Sequence, residues 1–300
     1  MRPGTIRALN ALNGRFYAGQ AASFSATRRA PWPGWRRCLP HVEAALTGGA
    51  LGEGGARVLD LGCGNLRFEA FLAGALPDVA LSFAAVDACE PLVAFAGDLP
   101  ANARVRTGTL DVVEALLAAG DPSSIAAFPD EGAFDVAVAF GLLHHIPSAR
   151  LRASLLGAIV ESTRPGGAVA VSLWRFLDDP DFARKADEEH ARALEELAVQ
   201  SNVAHLRLPA RCKVATAGDP AEAFPHVACE PIDPADFEAG DRLLGWQGRP
   251  GAYRYCHSFS NADVDALVAA VADRARLVDR FRADGRTGDL NEYLVFEVLH

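Results

Sequence analysis

Apolar residues follow two alternating rhythms along this chain. Short β-rich runs, at 56–62, 80–87, 103–108, 134–140 and 167–174, are separated by stretches of helical spacing such as 91–99 and 149–163. Strands that are apolar on both sides of the pleat, as at Val58–Leu61 and Phe134–Phe140, are expected where helices cover both faces of a sheet. The pattern predicts a doubly wound α/β core running from about Arg57 to His300. From Arg175 to about Tyr253 the rhythm stops, and a charged helical stretch at 179–200 and a Pro-rich segment take its place. This reads as a helical or irregular insertion before the last helix and strands. The rhythm resumes at 260–273, 275–281 and 292–299, giving a mostly parallel sheet of seven strands. Ser260 followed by Asp263 marks the start of the last helix.

Composition narrows the class. With 300 residues, 50% of them hydrophobic, the chain can bury a sizeable core. No run approaches the eighteen or so apolar residues of a membrane span, and Arg, Pro, Asn and Gly interrupt the N-terminus where a signal peptide would stay apolar. A cytoplasmic protein without a membrane partner is expected. Cys38, Cys63, Cys89, Cys212, Cys229 and Cys256 form no CxxC pair and read as reduced thiols. Charge is uneven: residues 1–42 hold seven arginines and no acidic residue, so a net charge of −9 leaves −16 for the rest. Residues 1–45 therefore form a basic arm, a candidate lid, on an acidic body at 46–300 that carries the insertion at about 175–253. Such an arm can meet a phosphate backbone or an anionic small molecule.

The chemistry concentrates where the first strand run meets Gly62-Cys63-Gly64-Asn65. In an open α/β sheet this turn lies at the switch point, and its glycines let a nucleotide-containing ligand approach the backbone. A dinucleotide turn needs a small residue where this chain has Arg67, and Asp60 suits an ammonium group better than a pyrophosphate. S-adenosylmethionine is favoured over NAD. Asp87 ends the second strand run, where a carboxylate can accept from both ribose hydroxyls; Asp111 follows the third, placed for an adenine amino group or for a helix cap.

Together with the run from Phe134 to His145, these features resemble class I S-adenosylmethionine-dependent methyltransferases, whose core is Rossmann-like. The arm is more specific. Tyr17, Ala21, Phe24-Ser25, Thr27-Arg28 and Pro31-Trp32-Pro33 resemble the spaced motif of the eukaryotic wobble-uridine tRNA carboxymethyl methyltransferases, as do Asp241–Trp246 and Arg254–His257. The resemblance implies methylation of a carboxylate on a modified wobble uridine of tRNA, with a small zinc-binding activator subunit as partner. It assigns the cofactor to Tyr17, Arg28, Asp60, Gly62, Cys63, Gly64, Asp87, Ala88, Leu110, Asp111 and Phe140. A carboxylate acceptor is already ionised at neutral pH, so positioning can supply most of the catalysis. Arg28 would clamp the carboxylate of cofactor or substrate.

The acidic body keeps a second acceptor class open, a small molecule methylated at a carboxyl, hydroxyl or amine. His144 and His145 follow the fourth strand run and can contact substrate or act as a base, and Trp174, ending the fifth, can stack on a ring or exclude solvent. Trp32 is a candidate lid over the cofactor. Cys256-His257 and His226-x-x-Cys229 lack the spacing of a four-ligand set, so no metal is expected.

Overall fold

The computed structural model describes residues 1–48, 55–119, 133–206 and 232–300. Two helices open the chain, α1 (Pro3–Ala26) and α2 (Pro33–Thr47), each with a proline in its first turn, where the missing N–H costs no helical bond. The core follows as β1 (Ala56–Leu61), α3 (Arg67–Ala75), β2 (Leu81–Asp87), the single turn α4 (Glu90–Val93), β3 (Ala103–Thr109), α5 (Val112–Ala119), β4 (Phe134–Ala139), α6 (Ala149–Glu161) and β5 (Thr163–Trp174). After the long α7 (Pro180–Leu206) come β6 (Asp241–Gly245), β7 (Tyr253–His257), α8 (Asn261–Ala270), β8 (Ala275–Ala283) and β9 (Asn291–Val298).

Seven strands form one sheet in the order β3-β2-β1-β4-β5-β9-β8, with β1 to β5 parallel and β9 antiparallel to both neighbours. All seven expected strand runs lie in it. Along β4 the period-two alternation is visible in the packing. Val136 and Val138 join the layer beneath α2 and α3 with Trp35, Phe68 and Leu72, while Ala137 and Ala139 join the layer beneath α5, α6 and α8 with Leu155 and Ile159. Helices cover both faces, which is why the central strands are largely apolar, whereas β3 and β8 at the sheet edges carry arginines.

The chain reverses its winding between β1 and β4, so a crevice opens at their C-terminal ends. The insertion supplies a wall there: β6 and β7 pair as an antiparallel ribbon, and α7 packs against it. The ribbon runs through His257, past the expected boundary near Tyr253. Helix α1 lies on the ribbon through Leu9 and Leu12, which pack with Leu243, Tyr253 and Tyr255. Asn13 fastens the contact, its Oδ1 accepting from the Tyr255 N–H at 2.7 Å and its Nδ2 donating to the His145 carbonyl at 3.4 Å.

The helix expected over 91–99 is one turn only. Gly97 and the downstream Pro100 interrupt it, and Phe95 stays 45% exposed with no face to bury against. The predicted start of α8 is present as a full capping box between Ser260 and Asp263. Cys212, His226, Cys229 and the basic stretch 207–213 lie outside the described residues. Among the described residues no helix is long and apolar enough to cross a membrane.

Candidate active site

The glycine turn leaves β1 with Gly62 at φ 81° and Gly64 at φ 55°, a conformation that disfavours side chains. At Gly62 a Cβ would press on Leu142 at 3.1 Å, whereas at Gly64 it would meet nothing within 4 Å, so Gly64 bares its backbone to open space. Its N–H donates to Asp87 Oδ2 at 2.9 Å, and Cys89 N–H donates to Asp87 Oδ1 at 2.7 Å. Asp87 thus ties the ends of β1 and β2 together. Burial raises its pKa, and the two N–H donors oppose that rise. Ala88 beside it is exposed, and Leu110 donates its N–H to the Asp87 carbonyl at 3.2 Å.

Beneath the turn, Asp60 is 3% exposed and Glu69 of α3 is fully buried. The alternation of β1 aims Asp60 at α3, and the two carboxyl groups meet there with no buried cation beside them. Burial, eased by the Glu69 bond and reinforced by Asp87, raises Asp60 to about 7, and burial also holds Glu69 well above the usual range. Burial thus favours the protonated form of each acid. Cys63, above it, is buried and its thiol is pushed up by burial and by both acids. Phe140 is buried among Trp35, Phe68 and Tyr293. Asp111 caps α5, its Oδ1 accepting from Val113 and Glu114 N–H and its Oδ2 from Asn10.

The arm roofs the crevice. Asn65 Nδ2 donates to the Arg28 carbonyl at 3.3 Å and Arg67 Nη1 to that of Ala30 at 2.8 Å, tying the segment after α1 to the glycine turn. Trp32 packs on Trp35 and faces Gly141, where an added Cβ would come within 3.1 Å of its ring. Arg28 lies over the Phe24 ring at 3.6 Å and borders a cleft of about 640 Å³ between the arm and the turn, shared with Asn65 and Arg67. Burial lowers its pKa to about 10, so it remains a cation at neutral pH.

Behind this cleft stand the histidines. His145 Nδ1–H donates to the Tyr255 carbonyl at 2.9 Å, which fixes the tautomer, and Nε2 accepts from the Tyr17 hydroxyl at 2.7 Å. Burial, then Arg254, pulls His145 down to about 3 and keeps His144 well below 6.5. His144 packs between His145 and Trp174, with ring centroids 4.1 and 5.2 Å away. Donor atoms of His144, His145 and Cys256 lie within 4.8 Å of one another, but both His145 nitrogens are engaged and Arg28 and Arg254 act on the group, so a metal cation would meet like charge.

The structure brings Tyr17, His144, His145 and Trp174 together and sets Arg28 on the adjoining cleft; Phe16, Glu69 and Arg254, to which the sequence assigned no role, stand beside these groups or beneath the glycine turn. The available signal was Arg254 itself, a cation in a ribbon strand whose five residues are all buried.

Solved structures with this architecture include 1,6-didemethyltoxoflavin N1-methyltransferase of Burkholderia thailandensis, with bound 1,6-didemethyltoxoflavin and S-adenosylhomocysteine. It is 17% identical with a TM-score of 0.50, the match covering 98% of this chain and 88% of that one. The N-methyltransferase NodS of Bradyrhizobium japonicum, in complex with S-adenosylhomocysteine, is 10% identical with a TM-score of 0.49, covering 98% and 99%. A methyltransferase of Methanosarcina mazei is 14% identical with a TM-score of 0.49, covering 83% and 94%. At such identities the likeness is one of fold. No curated protein matches the chain. The family model described as "Methyltransferase domain" matches residues 27–214, from the end of α1 into the insertion, and by that match the chain belongs to the methyltransferase-domain family.

Proposed function

We propose that this chain is an S-adenosylmethionine-dependent methyltransferase that esterifies a carboxylate on a small-molecule acceptor. When bound, the cofactor supplies a methyl group activated by a sulfonium. The turn fits it. Gly64 opens its backbone to free space, Asp87 offers its remaining lone pairs to ribose hydroxyls, the Asp60–Glu69 pair suits an ammonium, and Arg28 suits the methionine carboxylate.

The observation that carries the acceptor class is the state of the histidines. His145 has both nitrogens bonded, and His144 and His145 are weak bases held neutral by burial and two guanidiniums. An alcohol or ammonium acceptor would need a competent base, whereas a carboxylate reacts as it stands. Catalysis then rests on orientation within the site and on exclusion of water by the aromatic roof.

Net charge favours the small molecule. Arg2 pairs with Asp233 and Asp236, Arg7 with Glu114 and Arg37 with Asp279, so three arm cations are already neutralised by the body. A second reading, carboxylate methylation of a wobble uridine in tRNA with a zinc-binding activator subunit, is supported by the arm motif at Tyr17 to Pro33.

The test offers cofactor labelled in its methyl group to total tRNA and to a metabolite extract, then treats the products with mild alkali. Label in the small-molecule fraction that leaves as methanol is expected, since esters hydrolyse and N-methyl or ether groups do not. Alkali-stable label would sink the carboxylate reading, and label confined to tRNA would move the acceptor to RNA.

A further inference from the structure

The ribbon places Arg254 in the interior, 6% exposed, with its Nη1 buried and without a hydrogen-bond partner. Its guanidinium lies among rings, 4.9 Å from the Phe16 centroid, 5.3 Å from Trp246 and 5.9 Å from Trp174. Among the described residues no carboxylate pairs with it. Glu189, the nearest acid acting on it, is engaged by the Gly245 N–H at 2.9 Å and by Lys185. Arg28 adds a second guanidinium 5.7 Å from the Trp246 ring centroid, and its own side-chain bond goes to the Thr27 hydroxyl.

The other polar groups here are neutral. Burial raises the Cys256 thiol to about 11 and raises the Tyr17 phenol, while His144 and His145 are kept unprotonated. Among the described residues Arg254 is thus a buried cation whose polar neighbours, the Cys256 thiol among them, are neutral and which no carboxylate balances. Burying an unpaired guanidinium costs several kcal/mol, and rings recover only part of this.

The two cations face different spaces. Arg28 borders the cleft beside the glycine turn, where the cofactor's own carboxylate would sit. Arg254 does not line that cleft; it faces Trp174 at the end of β5 and the histidines after β4.

We propose that Arg254 receives the anionic group of the methyl acceptor, and that the rings around it, Phe16, Trp174 and Trp246, pack against a flat aromatic or heteroaromatic body. This rests on the methyl-transfer reading above and adds to it the residue that selects the acceptor. Arg254 is a specificity-determining residue, separate from the cofactor clamp.

The test uses the full chain, with and without S-adenosylhomocysteine, and follows Trp fluorescence on addition of phenylacetate, phenyl phosphate and the neutral phenylacetamide. At least one anion should bind roughly tenfold or more tightly than phenylacetamide, as a charge-assisted pair requires, and which anion wins distinguishes a carboxylate from a phosphate site. In Arg254→Met the preference should fall to about twofold or less while S-adenosylhomocysteine affinity stays within about twofold of wild type. Arg254→Lys, which keeps the charge and guards against misfolding of the Met variant, should retain part of the preference. Two results overturn the proposal: no charge preference in the wild-type chain, or a tenfold loss of S-adenosylhomocysteine affinity in Arg254→Met, which would make Arg254 a cofactor residue. Failure of the methyl-transfer reading looks different: the wild-type chain would not bind S-adenosylhomocysteine, yet the anion preference and its loss in Arg254→Met would persist.

Discussion

Asp87 commits both carboxylate oxygens to backbone N–H groups of the loops that follow β1 and β2, so it shapes the turn as well as facing the ligand space. Asp87→Ala removes both roles, and S-adenosylhomocysteine affinity should fall by roughly tenfold or more in a calorimetric titration. Asp60 makes a prediction of the opposite kind. An unfolded Asp titrates near 4, but burial raises Asp60 to about 7, so the folded state holds a proton that the unfolded state releases. The stability of the pair is complete below the unfolded value and is lost as pH rises through about 7, with a ceiling of about 4 kcal/mol. Glu69→Gln turns the competing acid into a donor, so its melting temperature should fall less than that of the wild type between about pH 5.5 and pH 8. An identical slope in the two proteins would show that Glu69 does not influence the titration of Asp60. In the sequence Asp60 stands out as the acid two residues before Gly62, and Asp87 as the acid that ends the second strand run. Glu69 was not, since a Glu three residues into a helix ordinarily reads as a solvated capping residue.

Among the elements, the ribbon depends on a polar tie to the body. Asp241 Oδ1 accepts from the Tyr255 hydroxyl and from His257 Nδ1, both at 2.7 Å, and His257 Nε2 faces Asp263 of α8 at 3.6 Å. Burial alone would lower the His257 pKa, but its bond to Asp241 and its contact with the Asp263 carboxylate raise it. Its stabilising proton is present below an unfolded value near 6.5 and is lost as pH rises through the folded value. His257→Gln should therefore speed amide exchange in β6 and β7 at about pH 6 and bring it close to the wild-type rate at high pH. A pH-independent change would assign His257 to packing alone. Asn13 holds the other side of the ribbon, and Asn13→Ala, by orphaning the buried Tyr255 N–H, should cost about 1–3 kcal/mol in urea unfolding. Strand positions were readable from periodicity, because burial on both faces leaves few polar residues to blur them. The ribbon was hidden, since its alternation is short and His257 and Arg254 interrupt it with charge that only tertiary partners explain.

At the scale of the molecule, the basic arm is basic in sequence more than in space. Arg2, Arg7 and Arg37 are paired with acids of the body and Arg28 turns inward, leaving Arg15, Arg29 and Arg36 exposed on the arm. If tRNA bound through these and the basic residues of 207–213, affinity would vary with salt with a log–log slope no steeper than about 5 or 6. A filter-binding titration giving a steeper slope would reveal an RNA surface beyond the arm and count against the small-molecule acceptor. Charge counting along the sequence could not anticipate this, because the neutralising carboxylates lie up to 242 residues away. A similar distance separates the two sides of the proposed acceptor site, with Phe16 on the first helix and Arg254 on the ribbon. A nascent chain leaving the ribosome therefore carries Phe16 early and Arg254 late, and the site is among the last contacts to close. Until that closure Arg254 is hydrated. The cost of drying it falls on the final step, so small anions that occupy the site should accelerate that step in refolding as well as hold the finished protein together.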